Sequence, residues 1–238
     1  LDATARSAGV LVRCDGLLER DATDVHASAP SAHGVQAAAV SLGEVVDRLG
    51  PSVVQAGLEE WVLVEQLRVD GQPTLAVSRG RQLFVDVQAT TPELRQDLLH
   101  RHIAVRLFRN QSSNFQQRWR KAHKVAERHD PFSGRRSRQV DPTRQPANRP
   151  NEDEASFAEA ASVLWQLPRT AAVLSARVPG FAPTFGLVKE VYRSAGYAKV
   201  FPDQAAPRRA SECSPLIDAL AADYGVAVRC DWRRLSRA

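Results

Sequence analysis

The chain is short of the residues that staple or clip a fold together. Its three cysteines, Cys14, Cys213 and Cys230, are an odd number with no CxxC pair, which argues against a disulfide framework or a cysteine zinc site and points to a reducing compartment. The six histidines (His26, His33, His100, His102, His123, His129) form no HExxH and no paired Cys/His spacing. They read as solvated or helix-end residues, with His100 and His102 closing a helix, where a cation interacts well with the dipole. Long apolar runs are missing too. Stretches such as "VQAAAV" and "SVLWQL" fall well short of the roughly 20 residues a membrane-crossing helix needs, so no membrane span is expected. GxSxG, P-loop and GxGxxG elements do not occur, and no N-terminal segment combines a basic start with a sustained apolar stretch. Methionine is absent and Leu1 comes first, so the chain reads as a fragment or a processed product. The expected location is intracellular, in the cytoplasm or in an organelle after N-terminal processing.

What is present is an ordinary globular composition, 43% hydrophobic and 25% charged, over 238 residues. The net charge of +5 is unevenly placed. Residues 117 to 149 hold ten basic side chains against three acidic ones, a local excess of +7, and the rest of the chain carries −2. Arg outnumbers Lys, which number four of the 32 basic residues; guanidinium forks suit phosphate, but a GC-rich coding sequence gives the same bias.

Read for organisation, the chain predicts an α+β or α/β fold in two small domains, residues 1–130 and 151–238, joined by a basic arm at 131–150 that contains Pro131, Pro142, Pro146 and Pro150. "GVLVRC" (9–14) reads as a strand. Leu42, Val45, Val46 and Leu49 have helical spacing; Ser41 with Glu44 has that of a capping box, and Gly50-Pro51 is a stop. Residues 59–89 read as two or three antiparallel strands turning at Asp70-Gly71, and with the helix-strand units around them they predict a β-hairpin and a mixed sheet in the N-terminal domain. Thr91-Pro92-Glu93 opens a helix, "IAVRLF" (103–108) reads as a returning strand, and a helix spans about 113–128 with Phe115, Trp119, Ala122, Val125 and Ala126 on one stripe. Asn151 before Glu152-Asp153-Glu154 caps a helix to about Leu167. Two helix-glycine-strand units follow, in "FGLVKEVYRSAGYAKVF" and "SPLIDALAADYGVAVRCDW". "GVLVRCD" at 9–15 and "GVAVRCD" at 225–231 agree at six of seven positions, which fits either a tandem duplication or convergent strand vocabulary.

Over residues 61 to 109, a hairpin, a strand ending in Asp86-Val87-Gln88, a helix with basic residues and a returning strand follow one another. That order resembles the restriction-endonuclease-like core and the related RAP-type domains. The resemblance implies a divalent metal held by acidic oxygens and a lysine that positions water. Asp86 and Gln88 would be the acid and the substituted lysine, with Asp70 or Glu65 as the second acid, and magnesium as the cofactor of that reading alone.

The leading expectation is different: non-enzymatic binding of nucleic acid, RNA in particular, as a structural subunit of a ribonucleoprotein, with no cofactor. Its candidate contacts are Arg106, Arg109, Arg118, Lys121, Lys124 and Arg128, with Arg135, Arg136 and Arg138 on the arm. Phe108, Trp119 and Phe132 are the aromatics near enough in sequence to stack on bases, although the place of Trp119 on the apolar stripe assigns it to the core. The alternatives are a metal-dependent nuclease and a protein-binding subunit of a large assembly whose arm folds on its partner.

Overall fold

Asp70-Gly71 forms the expected turn, with both residues at positive φ (49° and 75°), and everything in the sheet is built around the strand that precedes it. A computed structural model describes residues 2–14, 25–129, 150–199, 201 and 215–225. The long strand β3 (Glu60–Val69) lies parallel to β1 (Leu11–Arg13) on one side and to β6 (Gln82–Asp86) on the other. Antiparallel β5 (Ala76–Arg79) closes that edge, giving the order β1-β3-β6-β5. The far end of β3 departs from regular pleating at Gln66, whose φ is 54°, and there it pairs antiparallel with β2 (Val25–Ser28) and β4 (Gln72–Pro73). The fold is of the expected α+β or α/β class, with the expected β-hairpin and mixed sheet, although β3 and β6, expected to pair antiparallel, run parallel.

Alternation along the strands gives the sheet two apolar faces. Trp61, Leu63, Leu83 and Val85 belong to the main core, whereas Val62, Val64, Val77 and Phe84 pack with Val25, Leu67 and Val69 in a smaller cluster. Helices α2 (Ala32–Leu49) and α4 (Pro92–Arg109) contribute to the main core, joined by α3 (Pro51–Gly57). At Gly57 an added Cβ would stand 2.8 Å from the Ile103 backbone, so the missing side chain is what lets α3 and α4 touch.

Several helix limits follow from local chemistry. Thr91 accepts from Leu94 N with Pro92 behind it, and Asn151 and Glu154 exchange both bonds of a capping box at the start of α6 (Glu152–Gln166). Other expectations are corrected. Helix α2 starts ten residues earlier than Ser41: Ser31 is its cap, and Ser41 is buried in mid-helix, its single hydroxyl hydrogen shared between Ala37 O and Pro92 O, both 3.4 Å away. "IAVRLF" is not a strand. Leu99, Ile103 and Leu107 continue the spacing of four begun by Arg95, so α4 runs unbroken through it. The first of the two C-terminal units is helical in α8 (Phe181–Ser194), but residues 197–199 form no strand. The second keeps its helix, α9 (Pro215–Asp223), and its expected strand lies outside the described residues. A further helix, α7 (Pro168–Arg177), starts at a proline.

The helices after the arm share the core of those before it. Trp119 on α5 (Ser113–His129) meets Phe108 of α4 and Phe157 of α6, with ring centroids 6.1 and 5.0 Å away, and its indole N–H donates to Ser156 Oγ at 3.2 Å. Trp165, Phe185, Val188 and Tyr192 extend the same cluster. The division into two domains is therefore not confirmed. The packing of α8 against α5 is tight at Gly180, where φ is 90° and a Cβ would fall 2.4 Å from Ala126 N. Gly180→Ala combines a left-handed strain with a backbone clash and should lower stability by about 2 kcal/mol in urea unfolding.

Candidate nucleic-acid interface

The acidic candidates are committed to the fold's own backbone. Asp86 is not part of a solvent-facing pair with Gln88: it is buried, and Gln88 is exposed. Its Oδ2 accepts from Leu67 N at 2.9 Å, and its Oδ1 accepts from Gln88 N and Ala89 N, both at 3.0 Å. One carboxylate thus pins the irregular end of β3 to the turn that leaves β6. Glu65 accepts from Ser31 N at 2.8 Å at the entry to α2, and that bond lowers its pKa. Val64 is the register partner of Asp86, so Glu65, the next residue, falls on the alternate face of the strand. Asp70 is exposed in the turn. Among the described residues no group of three or more His, Cys, Asp or Glu side chains is placed to hold a metal ion.

The basic candidates divide by the company they keep. On α4, His102, Arg106 and Arg109 follow one another at spacings of four and three, which places them on one face. The β5–β6 turn, which has Gly80 at φ 58°, brings up Arg81. His102 is fully enclosed, its Nδ1 2.9 Å from Ser78 Oγ. Its pKa is pushed down to about 3, by burial first and then by the Arg106 cation. Arg81 donates to Gln55 O at 2.5 Å and lies 3.6 Å from Glu59, and Arg109 forms a two-bond fork with Glu154, 2.8 Å on each arm. Among the described residues Arg106 has no such partner, and its Nε is buried without a hydrogen bond. Burial first, and then the Arg109 and Arg81 cations, pull its pKa below the ordinary guanidinium value, against the smaller opposing effect of the Glu154 carboxylate.

On α5 the flanks are neutralised and the crest is not. Arg118 forms a fork with Glu190 of α8 (3.0 and 2.8 Å), and Arg120 donates to Asp153 of α6 at 2.5 Å. Lys121, Lys124 and Arg128 are exposed and lie within a sector of about 60° opposite the buried Phe115, Trp119 and Ala126. The two basic regions meet at the first turn of α6, where neighbouring Asp153 and Glu154 hold Arg120 and Arg109. Arg135, Arg136, Arg138 and Phe132 lie outside the described residues. Phe108 and Trp119 are core side chains, not surface platforms.

No protein-family model, curated protein or solved structure matches this chain. No described helix is long and apolar enough to cross a membrane.

Sequence reasoning passed over Arg81 and Arg120, and its reading of His100 and His102 as solvated residues at a helix end is corrected: both are buried in mid-helix, because α4 runs on to Arg109 and packs at both positions. Arg79-Gly80-Arg81 was visible as a basic pair astride a turn glycine, but nothing local says that residue 81 sits beside residue 106.

Proposed function

We propose that the protein binds nucleic acid, RNA in this reading, through the phosphate backbone and without cleaving it, as a structural subunit of a ribonucleoprotein. The observation that carries this is Arg106, a half-buried guanidinium crowded by Arg81 and Arg109 that forms no ion pair among the described residues; the carboxylate that acts on it, Glu154, is already held in the two-bond fork with Arg109. Like charges crowded in a partly desolvated place are unfavourable, and a phosphate oxygen supplies what the cluster lacks. The unpaired crest of Lys121, Lys124 and Arg128 extends the same field along α5.

A mobility-shift titration of single-stranded RNA and duplex DNA across a salt series, with and without magnesium, tests this. Binding that weakens with salt and leaves the strand intact is expected. Magnesium-dependent cleavage would instead favour the nuclease alternative, and the absence of any shift at low salt would favour a protein-binding subunit.

A further inference from the structure

The two basic regions present their charge in different shapes. Lys121, Lys124 and Arg128 are strung along about 10 Å of α5, one turn apart, so they suit successive phosphates of a strand. Around Arg106 the cations converge instead. Arg106 and Arg109 are one turn apart on α4, and the contact of His102 Nδ1 with Ser78 Oγ, at 2.9 Å, clamps the end of β5 over the same face. Arg81 enters from the turn that follows. Its 2.5 Å bond to Gln55 O fixes it against the last turn of α3, where Gly57 touches α4. Two neighbouring guanidinium groups, brought by different elements, therefore act on Arg106.

Arg106 itself is fixed at its stem and open at its tip. Its Nε is enclosed, while its terminal nitrogens are neither enclosed nor hydrogen-bonded among the described residues, so these are the donors a ligand meets. The charge around them is unbalanced. Glu154 is committed to Arg109, but Glu59 stands 3.6 Å from Arg81 with 68% of its side chain exposed, a loose pair that yields to a stronger acceptor. His102 beneath is held neutral by burial and adds no charge. Three guanidinium groups against the one firmly held carboxylate leave an excess of two positive charges.

An internal phosphodiester brings a single negative charge and approaches with a sugar on each side. A terminal phosphate monoester brings about 1.5 to 2 negative charges at pH 7, offers three strong acceptor oxygens, and has a sugar on one side only. It is the better match in charge and in access to a half-buried guanidinium. We propose that the Arg106 cluster binds the phosphate monoester at the end of a strand in preference to an internal phosphate, while the α5 crest holds the diesters that follow. The crest is close enough, because neighbouring Asp153 and Glu154 hold Arg120 of α5 and Arg109 of α4. This inference rests on the phosphate-binding reading and names the phosphate that the cluster selects.

The test is a set of fluorescence-anisotropy titrations at one salt concentration with three internally labelled single-stranded RNAs of identical sequence, ending in hydroxyls, in a 5′-phosphate or in a 3′-phosphate. At least one phosphorylated strand should bind about tenfold more tightly than the hydroxyl-ended one, the scale of one charge-assisted contact, and which strand does so identifies the end. Arg106→Gln should abolish that ratio. Replacing Lys121, Lys124 and Arg128 together with Gln should weaken all three strands and keep it. Should Arg106→Gln fail to fold by circular dichroism, Arg81→Gln at the exposed turn takes its place. Equal binding whatever the end, or a preference that survives in the arginine variant, would overturn the inference and leave phosphate binding standing. The absence of any binding at low salt would overturn both.

Discussion

Lowering the pH from 7 to 5 should destabilise the fold by about 4 kcal/mol through His100 and His102. Both are buried on α4, both are held neutral, and for both the pKa is pushed down to about 3 from an ordinary value near 6.5. The unfolded chain takes up two protons as the pH falls through 6.5, while the native state refuses them until the pH approaches 3. The stability conferred by these two groups is therefore complete above about 6.5 and is lost progressively on acidification. The cause is mainly burial, reinforced by Arg48 and Arg101 around His100 and by Arg106 and Arg109 around His102. Urea midpoints at pH 7, 6 and 5 should fall steadily, and His100→Phe should remove about half of the dependence. A midpoint that stays constant over that range would contradict the burial of the two rings.

The second large effect is at Asp86. Its carboxylate serves three backbone N–H groups that no other side chain reaches: one on the bent end of β3 and two in the turn after β6. Asp86→Ala leaves all three donors without their acceptor, and the one at Leu67 is enclosed with the apolar cluster of the second sheet face. Bonds to a charged acceptor contribute about 1.5 to 3 kcal/mol each and are not additive, so a loss of about 3 kcal/mol in urea unfolding is expected. A solvent-facing aspartate, which is what the acid-x-amide spacing of Asp86 and Gln88 implies in a regular strand, would change stability by less than about 0.5 kcal/mol. The two outcomes are far enough apart for one denaturation curve to decide between them.

Asp86 also shows where the sequence stops being readable. Signals that act within a few residues were legible: Thr91-Pro92 and Asn151-Glu154 start helices, Gly50-Pro51 ends one, and Asp70-Gly71 turns a hairpin. "IAVRLF" was not, because a short apolar run has no period that separates a strand from the buried face of a helix. The true cap at Ser31 was hidden because Ala37 to Ala39 carry little amphipathic signal, so the stripe looked as if it began at Leu42. The arm at 131–150 looked like a boundary, yet Phe108 before it and Phe157 after it are in ring contact, with centroids 5.0 Å apart. The candidate interface was half legible. The basic crest of α5 follows from helical spacing alone, while the neutralisation of Arg118 by Glu190 and the crowding of Arg106 by Arg81 depend on residues 72 and 25 positions away.

The central claim is that cations lacking a partner among the described residues meet phosphate. Arg106, Lys121, Lys124 and Arg128 can all be replaced by Gln without breaking an ion pair of the fold, and Gln is nearly as good a helix former as Arg or Lys. The measurement is the slope of log affinity against log salt for single-stranded RNA, wild type against this fourfold variant. Each phosphate that is no longer neutralised should reduce the slope by about 0.7, so a reduction of about 3 is predicted, with weaker binding to every sequence alike. Affinity and slope both unchanged in a variant that folds normally would show that these cations face only water and would contradict the account.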